Sequence, residues 1–428
     1  MHALGTSRVL AAALVAGLLS GSARATWSIV VADTKTGEVA IGSGTCLLDF
    51  ELKRFLPRLR GGQGAGASQS MVDSNAANRI RIWNGLIDGE APPSILAALA
   101  AQDTNHQRRQ YGIVDVAGRA LTFTGSLAGA YAGGVTGKSG TMVYAIQGNV
   151  LTGEPVVSLA EQALLTTPGG IPEKLMAAME AAREMGGDGR CSCSSLDPTS
   201  CGAPPPSFTK SAHIGFMIVA RHGDVDGTCS VSPGCASGQY YMMFNILANQ
   251  ASQPDPVLQM RPLFDAWRAT LIGIPDQVES IVTMDPPAVL NTGSATARLT
   301  VDVRDWRGEP AEGVTMVIAY PKPGTTSTVS IPRPISPHVF EFDVVGGTLP
   351  RVDEFVVAVL SGPVVRELMP GARLRVQDAA ADLNGDGVVS PADLAILLAA
   401  FGGPGGDING DGVTNQVDLG ILLANLPD

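Results

Sequence analysis

The sequence lacks features that mark several common classes of protein. Only 16% of its 428 residues are charged, and acidic residues outnumber basic ones to give a net charge of −11. This acidic balance argues against nucleic acid as a partner. No apolar run beyond Leu19 reaches spanning length, so we expect no transmembrane segment in the mature chain. The 45% hydrophobic content is sufficient for several folded domains.

Familiar catalytic motifs are also missing. No G-x-S-x-G segment marks a hydrolase serine. The segment GGVTGKSG looks like a phosphate-binding loop, but Ala132 stands where its first glycine belongs. The segment GQGAGAS lacks the last glycine of a dinucleotide fingerprint. Any catalytic chemistry must therefore rest on other residues.

The N-terminus has the parts of a secretory signal peptide. Arg8 precedes an apolar run from Val9 to Leu19, and Ala23-Arg24-Ala25 supplies small residues for cleavage. We predict a signal peptide at residues 1–25, cleaved after Ala25, and a secreted, extracellular or cell-surface protein.

The six cysteines fit an exported protein, in which disulfides persist. The alternative is a zinc site, but the chain has no C-x-x-C pair, and His213 and His222 show no ligand spacing. Disulfides are therefore predicted, although the sequence does not distinguish among the pairings of Cys46, Cys191, Cys193, Cys201, Cys229 and Cys235.

The order of predicted elements divides the mature chain into three domains. Residues 26–273 contain grouped strands and helices, which favours an α+β class with antiparallel sheets covered by helices. Residues 278–376 show short alternating strands between Gly and Pro turns, as in an all-β sandwich. This part resembles bacterial immunoglobulin-like domains, which implies a spacer or an adhesive unit. Residues 378–428 form a small all-α unit with acidic loops.

Two acidic loops occupy this tail at a spacing of 25 residues, within DLNGDGVVSPADLAILLAAFG and DINGDGVTNQVDLGILLANLP. Each places oxygen ligands at loop positions one, three, five, seven, nine and twelve, with Gly at position six, as calcium loops do. We predict two structural calcium ions. The ligands of the first are Asp382, Asn384, Asp386, the carbonyl of Val388, Ser390 and Asp393. Those of the second are Asp407, Asn409, Asp411, the carbonyl of Val413, Asn415 and Asp418.

Pro and Gly before each loop prevent an entering helix, so each loop leads into a single exiting helix. Ser390 with Asp393 and Asn415 with Asp418 are the predicted caps of these helices. The duplicated unit resembles a type I dockerin, which implies folding on calcium and a cohesin partner. Pro391-Ala392 and Gln416-Val417 depart from the polar or basic residues common in cohesin-binding members. A different cell-surface protein, a folded cap or a sorting element are therefore alternatives.

Cleavage after Ala25 would make Thr26 the first residue of the mature chain. Its hydroxyl would then lie beside a free α-amine, whose ordinary pKa suits it to act as a base near neutral pH. The alternative is that Thr26 is merely the small residue with which many secreted proteins begin.

Several segments together resemble a bacterial Ntn-hydrolase-like family, domain-of-unknown-function family ten-twenty-eight. They are TWSIVVADTKTGE, GIVDVAGRALTFTG, Gln147-Gly148-Asn149 and GGDGR. The resemblance covers Thr26 to about Ala220 and implies a four-layer αββα fold, amide-bond hydrolysis of an unknown substrate and Thr26 as nucleophile. Asn149, predicted on a turn, is a candidate oxyanion donor, with turn capping as the alternative. Ser28, Ser43 and Asp188 are lesser candidates near Thr26.

Three hypotheses follow. The first is a secreted amidohydrolase that uses Thr26 and is tethered through its calcium-binding tail. The second is a non-catalytic module that uses the same fold for binding or assembly. The third is a component of extracellular polysaccharide degradation, although no glycosidase-like pair of carboxylates is recognisable in the first domain.

Overall fold

A computed structural model describes residues 26–362 and 364–426. The predicted signal peptide lies outside the described residues. Within the described ranges, the model contains no helix with the length and apolar character needed to cross a membrane.

The first part of the chain mixes strands and helices, with a 3₁₀ turn at His106–Arg108. Its strands are β1 (Thr26–Asp33), β2 (Val39–Thr45), β3 (Pro57–Arg60), β4 (Gly64–Ser70), β5 (Arg109–Asp115), β6 (Ala120–Thr124), β7 (Ala132–Ser139), β8 (Met142–Asn149), β9 (Ile214–Ala220) and β10 (Met242–Ile246). Its helices are α1 (Leu52–Phe55), α2 (Ala77–Ile87), α3 (Pro92–Gln102), α4 (Pro155–Thr166), α5 (Ile171–Glu184), α6 (Gly189–Ser192) and α7 (Pro256–Ala269).

These strands form two antiparallel sheets, with the orders β10-β9-β2-β1-β8-β7 and β3-β4-β5-β6. Side chains alternate between the two faces of a strand. Ile29 and Val31 of β1 therefore pack in a core with α4, α5 and α7, whereas Val30 and Ala32 face the second sheet. The outer face of the second sheet packs through Tyr111 against α2 and α3. The layers are helices, six-stranded sheet, four-stranded sheet and helices.

Hydrophobic patterning in the sequence does not predict strands β3, β4 and β7 or helix α2. Glycine, alanine and serine dominate β4, GAGASQS, and have low β-propensity. All seven residues of β4 are nevertheless buried, because small side chains allow the two sheets to approach closely. The segment discounted above as a phosphate-loop look-alike belongs to β7, at the edge of the larger sheet.

Over residues 278–362 and 364–377, the regular elements of the next part are all strands, as the sequence predicts. They are β11 (Ile281–Asp285), β12 (Ala288–Leu290), β13 (Thr296–Asp302), β14 (Val314–Pro321), β15 (Thr328–Val329), β16 (Arg333–Pro334), β17 (Val339–Val345), β18 (Arg351–Ser361), β19 (Val364–Glu367) and β20 (Ala372–Gln377). One sheet has the order β11-β13-β17-β15, with β16 also on β17. The other has the order β12-β20-β18-β14, with β19 also on β18. Their inner faces share one core, which includes Leu299, Phe342, Phe355 and Leu374.

A buried ionic cluster joins this β-rich part to the first part. Arg221, which directly follows β9, contacts Glu38 at 2.7 Å and Asp276 at 3.0 Å, and all three side chains are at most 4% exposed. The guanidinium also lies 3.5 Å from the ring centroid of Tyr241. Asp276 belongs to the connecting segment, and its backbone N–H donates to the carbonyl of Arg304. The connection is therefore a packed joint.

The tail carries a 3₁₀ turn (Ala379–Ala381) and two helices, α8 (Pro391–Ala399) and α9 (Gln416–Asn425). Leu397 and Leu422 form a small core with Val389 and Ala381. The buried amide of Gln377, at the end of β20, donates to the carbonyls of Val389 and Asn425. The tail is thereby fastened to the last strand of the β-rich part.

Candidate functional site

The space between the two sheets of the first part is apolar at one end and polar at the other. On five strands, the residues that face this space change from aliphatic to hydroxyl or amide side chains toward the same end. On β1, for example, Ala32 and Val30 are followed in this direction by Ser28 and Thr26. The polar cluster, as we call it below, consists of Thr26, Ser28, Ser43, Thr45, Gln69, Gln110, Gln147 and Asn149, all buried.

Thr26, the first residue of β1, belongs to this cluster and is only 3% exposed. Its hydroxyl donates to that of Thr45, with an Oγ1–Oγ1 distance of 3.4 Å. Its carbonyl accepts a hydrogen bond of 2.8 Å from Nε2 of Gln69, which reaches across from β4 of the other sheet. The position of Thr26 is therefore fixed by both sheets.

Hydrogen bonds extend from Thr26 into the polar cluster through the side chains of three glutamines, Gln69, Gln110 and Gln147. Gln69 accepts from the hydroxyl of Ser28 at 2.6 Å and donates to Oε1 of Gln110 at 2.8 Å. Gln110 in turn donates to the carbonyl of Gly148 at 2.9 Å and to the hydroxyl of Thr124 at 2.8 Å. Buried polar groups are costly unless they are hydrogen-bonded, so a network of this kind fixes a single arrangement.

Gln147 completes the network from β8. Its Nε2 donates to the hydroxyl of Ser28, while its Oε1 has no hydrogen-bond partner among the described residues. A Cβ at residue 112 would overlap this side-chain amide, so glycine at that position on β5 leaves room for Gln147 in its observed orientation.

Asn149 lies directly opposite Thr26 in the β1–β8 register. Such antiparallel partners have Cβ atoms about 4.5–5.5 Å apart. The structure thus brings together the two predicted catalytic residues. Asn149 is the last residue of β8 and does not lie on a turn as predicted. Its Nδ2 donates to the carbonyl of Ala128 at 3.1 Å.

The residue after Asn149 has a strained backbone. Val150 has φ of 56°, a left-handed conformation that a β-branched side chain disfavours. Ser70, at the end of β4 next to Gln69, has φ of 72°. Backbone strain of this kind costs about 1–3 kcal/mol and tends to cluster at functional sites.

The lesser candidates occupy distinct places. Ser28 and Ser43 are register partners on β1 and β2. Ser43 donates at 2.6 Å to the carbonyl of Trp27. Asp188 is fully buried and bonds Arg190 at 2.8 Å, and it also accepts from the backbone N–H of Cys46 at 2.6 Å. Asp188 therefore holds the start of the β2–α1 connection.

The cysteines pair as Cys46–Cys191, Cys193–Cys201 and Cys229–Cys235. His213 lies close to the first pair. Because both sulfurs of this pair are in a disulfide, they offer no thiolates to a metal.

Little open space adjoins Thr26. A cavity of about 10 Å³, the space of a single water molecule, lies beside it. None of the described residues in its wall is acidic or basic. These residues are Thr26, Leu47, Phe50, Leu52, Phe55, Leu56, Ser68, Gln69, Ser70 and Val72. Two larger clefts border the same wall. Phe50 also lines one of about 450 Å³, and Val72 also lines one of about 360 Å³.

The two acidic loops of the tail have matching backbone geometry. Asp382 accepts from the N–H groups of Gly385 at 2.8 Å and Gly387 at 2.9 Å. The equivalent bonds to Asp407 measure 2.8 Å from Gly410 and 2.6 Å from Gly412.

The predicted helix caps are present in both copies, because Ser390 with Asp393 and Asn415 with Asp418 each form a capping box. Backbone N–H groups donate to Asp418 and lower its pKa, which keeps this carboxylate ionised. The donor set of each loop, carboxylate and amide oxygens with one backbone carbonyl, fits calcium.

Gln69 and Gln110 are missing from the residues that the sequence identifies. Strand β4 is too rich in glycine to show a strand pattern, and nothing local reveals that it packs across from Thr26. The usable signal in GAGASQS is that Ala65, Ala67 and Gln69 stand at every second position. On a strand they share one face, so the glutamine follows two small apolar residues on that face.

Comparison with known proteins agrees with the sequence analysis over the first part of the chain. Residues 26–196 match the family described as "Family of unknown function (DUF1028)". No curated protein gives a significant match.

Among solved structures, a Silicibacter pomeroyi protein of the DUF1028 family is 20% identical, with a TM-score of 0.42, over 56% of this chain and 85% of that one. The Yersinia pseudotuberculosis adhesin InvE is 24% identical, with a TM-score of 0.21, over 24% of this chain and 27% of that one. The Escherichia coli adhesin FdeC is 9% identical, with a TM-score of 0.20, over 82% of this chain and 63% of that one. Similarities this weak say nothing about activity.

Proposed function

We propose that the protein is a secreted amidohydrolase whose nucleophile is the hydroxyl of Thr26, made N-terminal by removal of residues 1–25. In this proposal the first part is an Ntn-hydrolase-like domain and the β-rich part an immunoglobulin-like spacer. The tail is a calcium-binding, dockerin-like unit that tethers the enzyme to a cohesin-like or cell-surface protein. The three disulfides support an extracellular location.

One observation carries the catalytic part of this proposal. The polar cluster engages both the hydroxyl and the carbonyl of Thr26 and contains only hydroxyl and amide side chains. None of these is a base at neutral pH, and none of the described residues that line the adjacent cavity is titratable near neutral pH. The α-amine of an N-terminal Thr26 would supply the missing base. The family match also begins at this residue.

The reaction would proceed in two steps. Oγ1 of Thr26 attacks the amide carbonyl, and the α-amine takes the hydroxyl proton. The C–N bond breaks as this proton passes to the leaving amine, which leaves an ester on Oγ1. Water then attacks the ester with the α-amine again as base, releases the acid and restores the hydroxyl. In this proposal Nδ2 of Asn149, the register partner of Thr26, donates its second hydrogen to the oxyanion, while the first bonds the carbonyl of Ala128.

An activated ester tests this role without knowledge of the natural substrate. The full chain, produced so that Thr26 is its first residue, is mixed with p-nitrophenyl acetate, and the acylated residue is mapped by mass spectrometry. We expect a burst of p-nitrophenolate and acetyl on Oγ1 of Thr26. Thr26→Ala should abolish the burst, while Thr26→Ser should keep it. An equal burst from Thr26→Ala would overturn the proposal.

A second candidate function, a non-catalytic binding module, is favoured by one observation. The cavity beside Thr26 holds no more than a water molecule, so a substrate does not fit without movement of its wall. This alternative predicts that ligand binding is indifferent to Thr26→Ala. The same variant therefore separates the two functions.

A further inference from the structure

One aromatic side chain borders both the cavity beside Thr26 and a large surface cleft. Phe50 lines both the cavity of about 10 Å³ beside Thr26 and the cleft of about 450 Å³. The ring is half-buried and stacks on Phe55 at a centroid distance of 4.8 Å. Displacement of the Phe50 ring would join the cleft to the cavity.

Phe50 lies on the connection between β2 and α1, residues 46–51, which is held at defined points. The disulfide of Cys46 with Cys191 fixes its start, as does the bond from the Cys46 N–H to Asp188. The N–H of Asp49 donates to the carbonyl of Ala248 at 3.1 Å. Because the backbone is fastened at residues 46 and 49 and enters α1 at Leu52, a side-chain rotation of Phe50 is the simplest opening.

The walls of the joined space differ in chemistry along its length. Beside Thr26, the polar face carries Gln69, whereas the remaining wall is mostly aliphatic and aromatic, with Leu47, Leu52, Phe55, Leu56 and Val72. The outer cleft is more polar, with Asp49, Glu51, Asn249 and Gln253. An acyl group placed against Thr26 would therefore meet apolar side chains, while the part that leaves would meet carboxylates and amides.

We infer that the substrate of Thr26 is an amide of an apolar acyl group, and that this group takes the place of the Phe50 ring. The carboxylates of Asp49 and Glu51 disfavour a negatively charged leaving group. This inference rests on the proposed nucleophilic role of Thr26. The inference adds that Phe50 limits the length of the acyl group that can be placed against Thr26.

The test compares two esters, p-nitrophenyl acetate and p-nitrophenyl hexanoate, on the full chain beginning at Thr26. The rate constant for acylation of Thr26 is measured for the wild type, Phe50→Ala and Phe50→Leu. Phe401→Ala, an exposed phenylalanine of the tail, serves as the matched control. We expect Phe50→Ala to raise the hexanoate-to-acetate ratio about tenfold or more, since several methylenes gain room in an apolar pocket.

Phe50→Leu should give a smaller rise in the same ratio, and it carries the test if Phe50→Ala does not fold. Phe401→Ala should leave the ratio unchanged. Acylation of Thr26 with an unaltered ratio in both Phe50 variants would overturn this inference and leave the proposed function standing. Absence of acylation at Thr26 in every variant would overturn both.

Discussion

At the scale of single residues, the account depends on buried polar side chains that folding alone does not require. Their neighbours on the same strand faces are Val, Ile and Ala, and these fill the rest of the space between the sheets. At one end of this space, eight hydroxyl and amide side chains stand where apolar side chains would bury more apolar area. They form hydrogen bonds instead. Such an exchange is expected where a protein holds a reactive group in one position.

Gln69 is the residue on which this network depends most. Gln69→Leu removes the donor to the carbonyl of Thr26 and leaves Ser28 and Gln110 each without one partner. We expect the free energy of unfolding in urea to fall by about 1–3 kcal/mol, the cost of buried polar groups left unpaired. Acylation of Thr26 by p-nitrophenyl acetate should fall as well.

The control for this variant is Gln102→Leu. Gln102 is exposed and makes one hydrogen bond, to Asn78. It should change the free energy of unfolding by no more than about 0.5 kcal/mol. Equal effects of the two substitutions would show that the network has no special importance.

The protonation of one histidine adds a pH dependence to stability. His106 stacks on Phe123 at 4.2 Å, and burial lowers its pKa, an effect opposed by Asp103 and reinforced by Arg109. The unfolded chain therefore takes up a proton at a higher pH than the folded chain. The stability due to neutral His106 is complete above the ordinary histidine pKa and is lost as pH falls through the lowered value.

His106→Phe keeps the stacking and removes the proton site. Its free energy of unfolding should therefore fall less steeply than that of the wild type between about pH 7 and about pH 5. The free energy of unfolding of the variant should still depend on pH in part, because burial and nearby Lys210 also lower the pKa of His213. Identical slopes for the two proteins would contradict the burial of His106 as a source of pH dependence.

At the scale of elements, the sequence predicted some strands and helices and missed others for one physical reason. Strand β1 has the sequence TWSIVVAD, and helix α5 has the sequence IPEKLMAAMEAARE. Both show a clear hydrophobic period. Strand β3 has only four residues, and β4 and β7 are rich in glycine and other small residues, so none of the three shows a clear hydrophobic period or a strong preference for a strand. The polar cluster was partly foreseen through Thr26 and Asn149, while Gln69 depended on the missed strand.

The tail offers a test at the same scale. Calorimetric titration of the full chain with calcium should show two sites, and Asp382→Ala should leave one, because it removes the first ligand of one loop. Asp265→Ala, an exposed carboxylate on α7 outside both loops, should keep two. Calcium at a hundredfold its dissociation constant should stabilise the tail by about 2.7 kcal/mol for each site. No calcium binding by the wild type would overturn the metal assignment.

At the scale of the whole molecule, the buried ionic cluster at the joint determines how the first and second parts behave together. The guanidinium of Arg221 is the shared partner of Glu38 from the first part and Asp276 from the connection. Burial raises the pKa of Glu38 and Arg221 opposes this. Burial also acts to raise the pKa of Asp276, but Arg221 and the hydrogen bonds from Val278 and Tyr241 together outweigh burial and hold that pKa below its usual range.

Removal of this arginine should therefore be costly. Arg221→Met leaves two carboxylates buried without their partner, and we expect a loss of about 3–5 kcal/mol in the free energy of unfolding. Scanning calorimetry should also show separate transitions for the two parts. Arg261→Met is the matched control, since its ion pairs with Glu180 and Asp265 are exposed and worth about 0–1 kcal/mol. A comparable loss in the control would contradict the importance of the joint.

The central claim is that Thr26 works as an N-terminal nucleophile, and the N-terminus of the exported protein tests it most directly. The protein is expressed with its full sequence, collected from outside the cytoplasm, and its intact mass and N-terminal peptide are determined. Mild periodate, which cleaves an N-terminal threonine only when its amine is free, is then applied to that peptide. We expect the chain to begin at Thr26 and the peptide to be cleaved. A chain that begins elsewhere, or a blocked amine, would remove the proposed base and contradict the account.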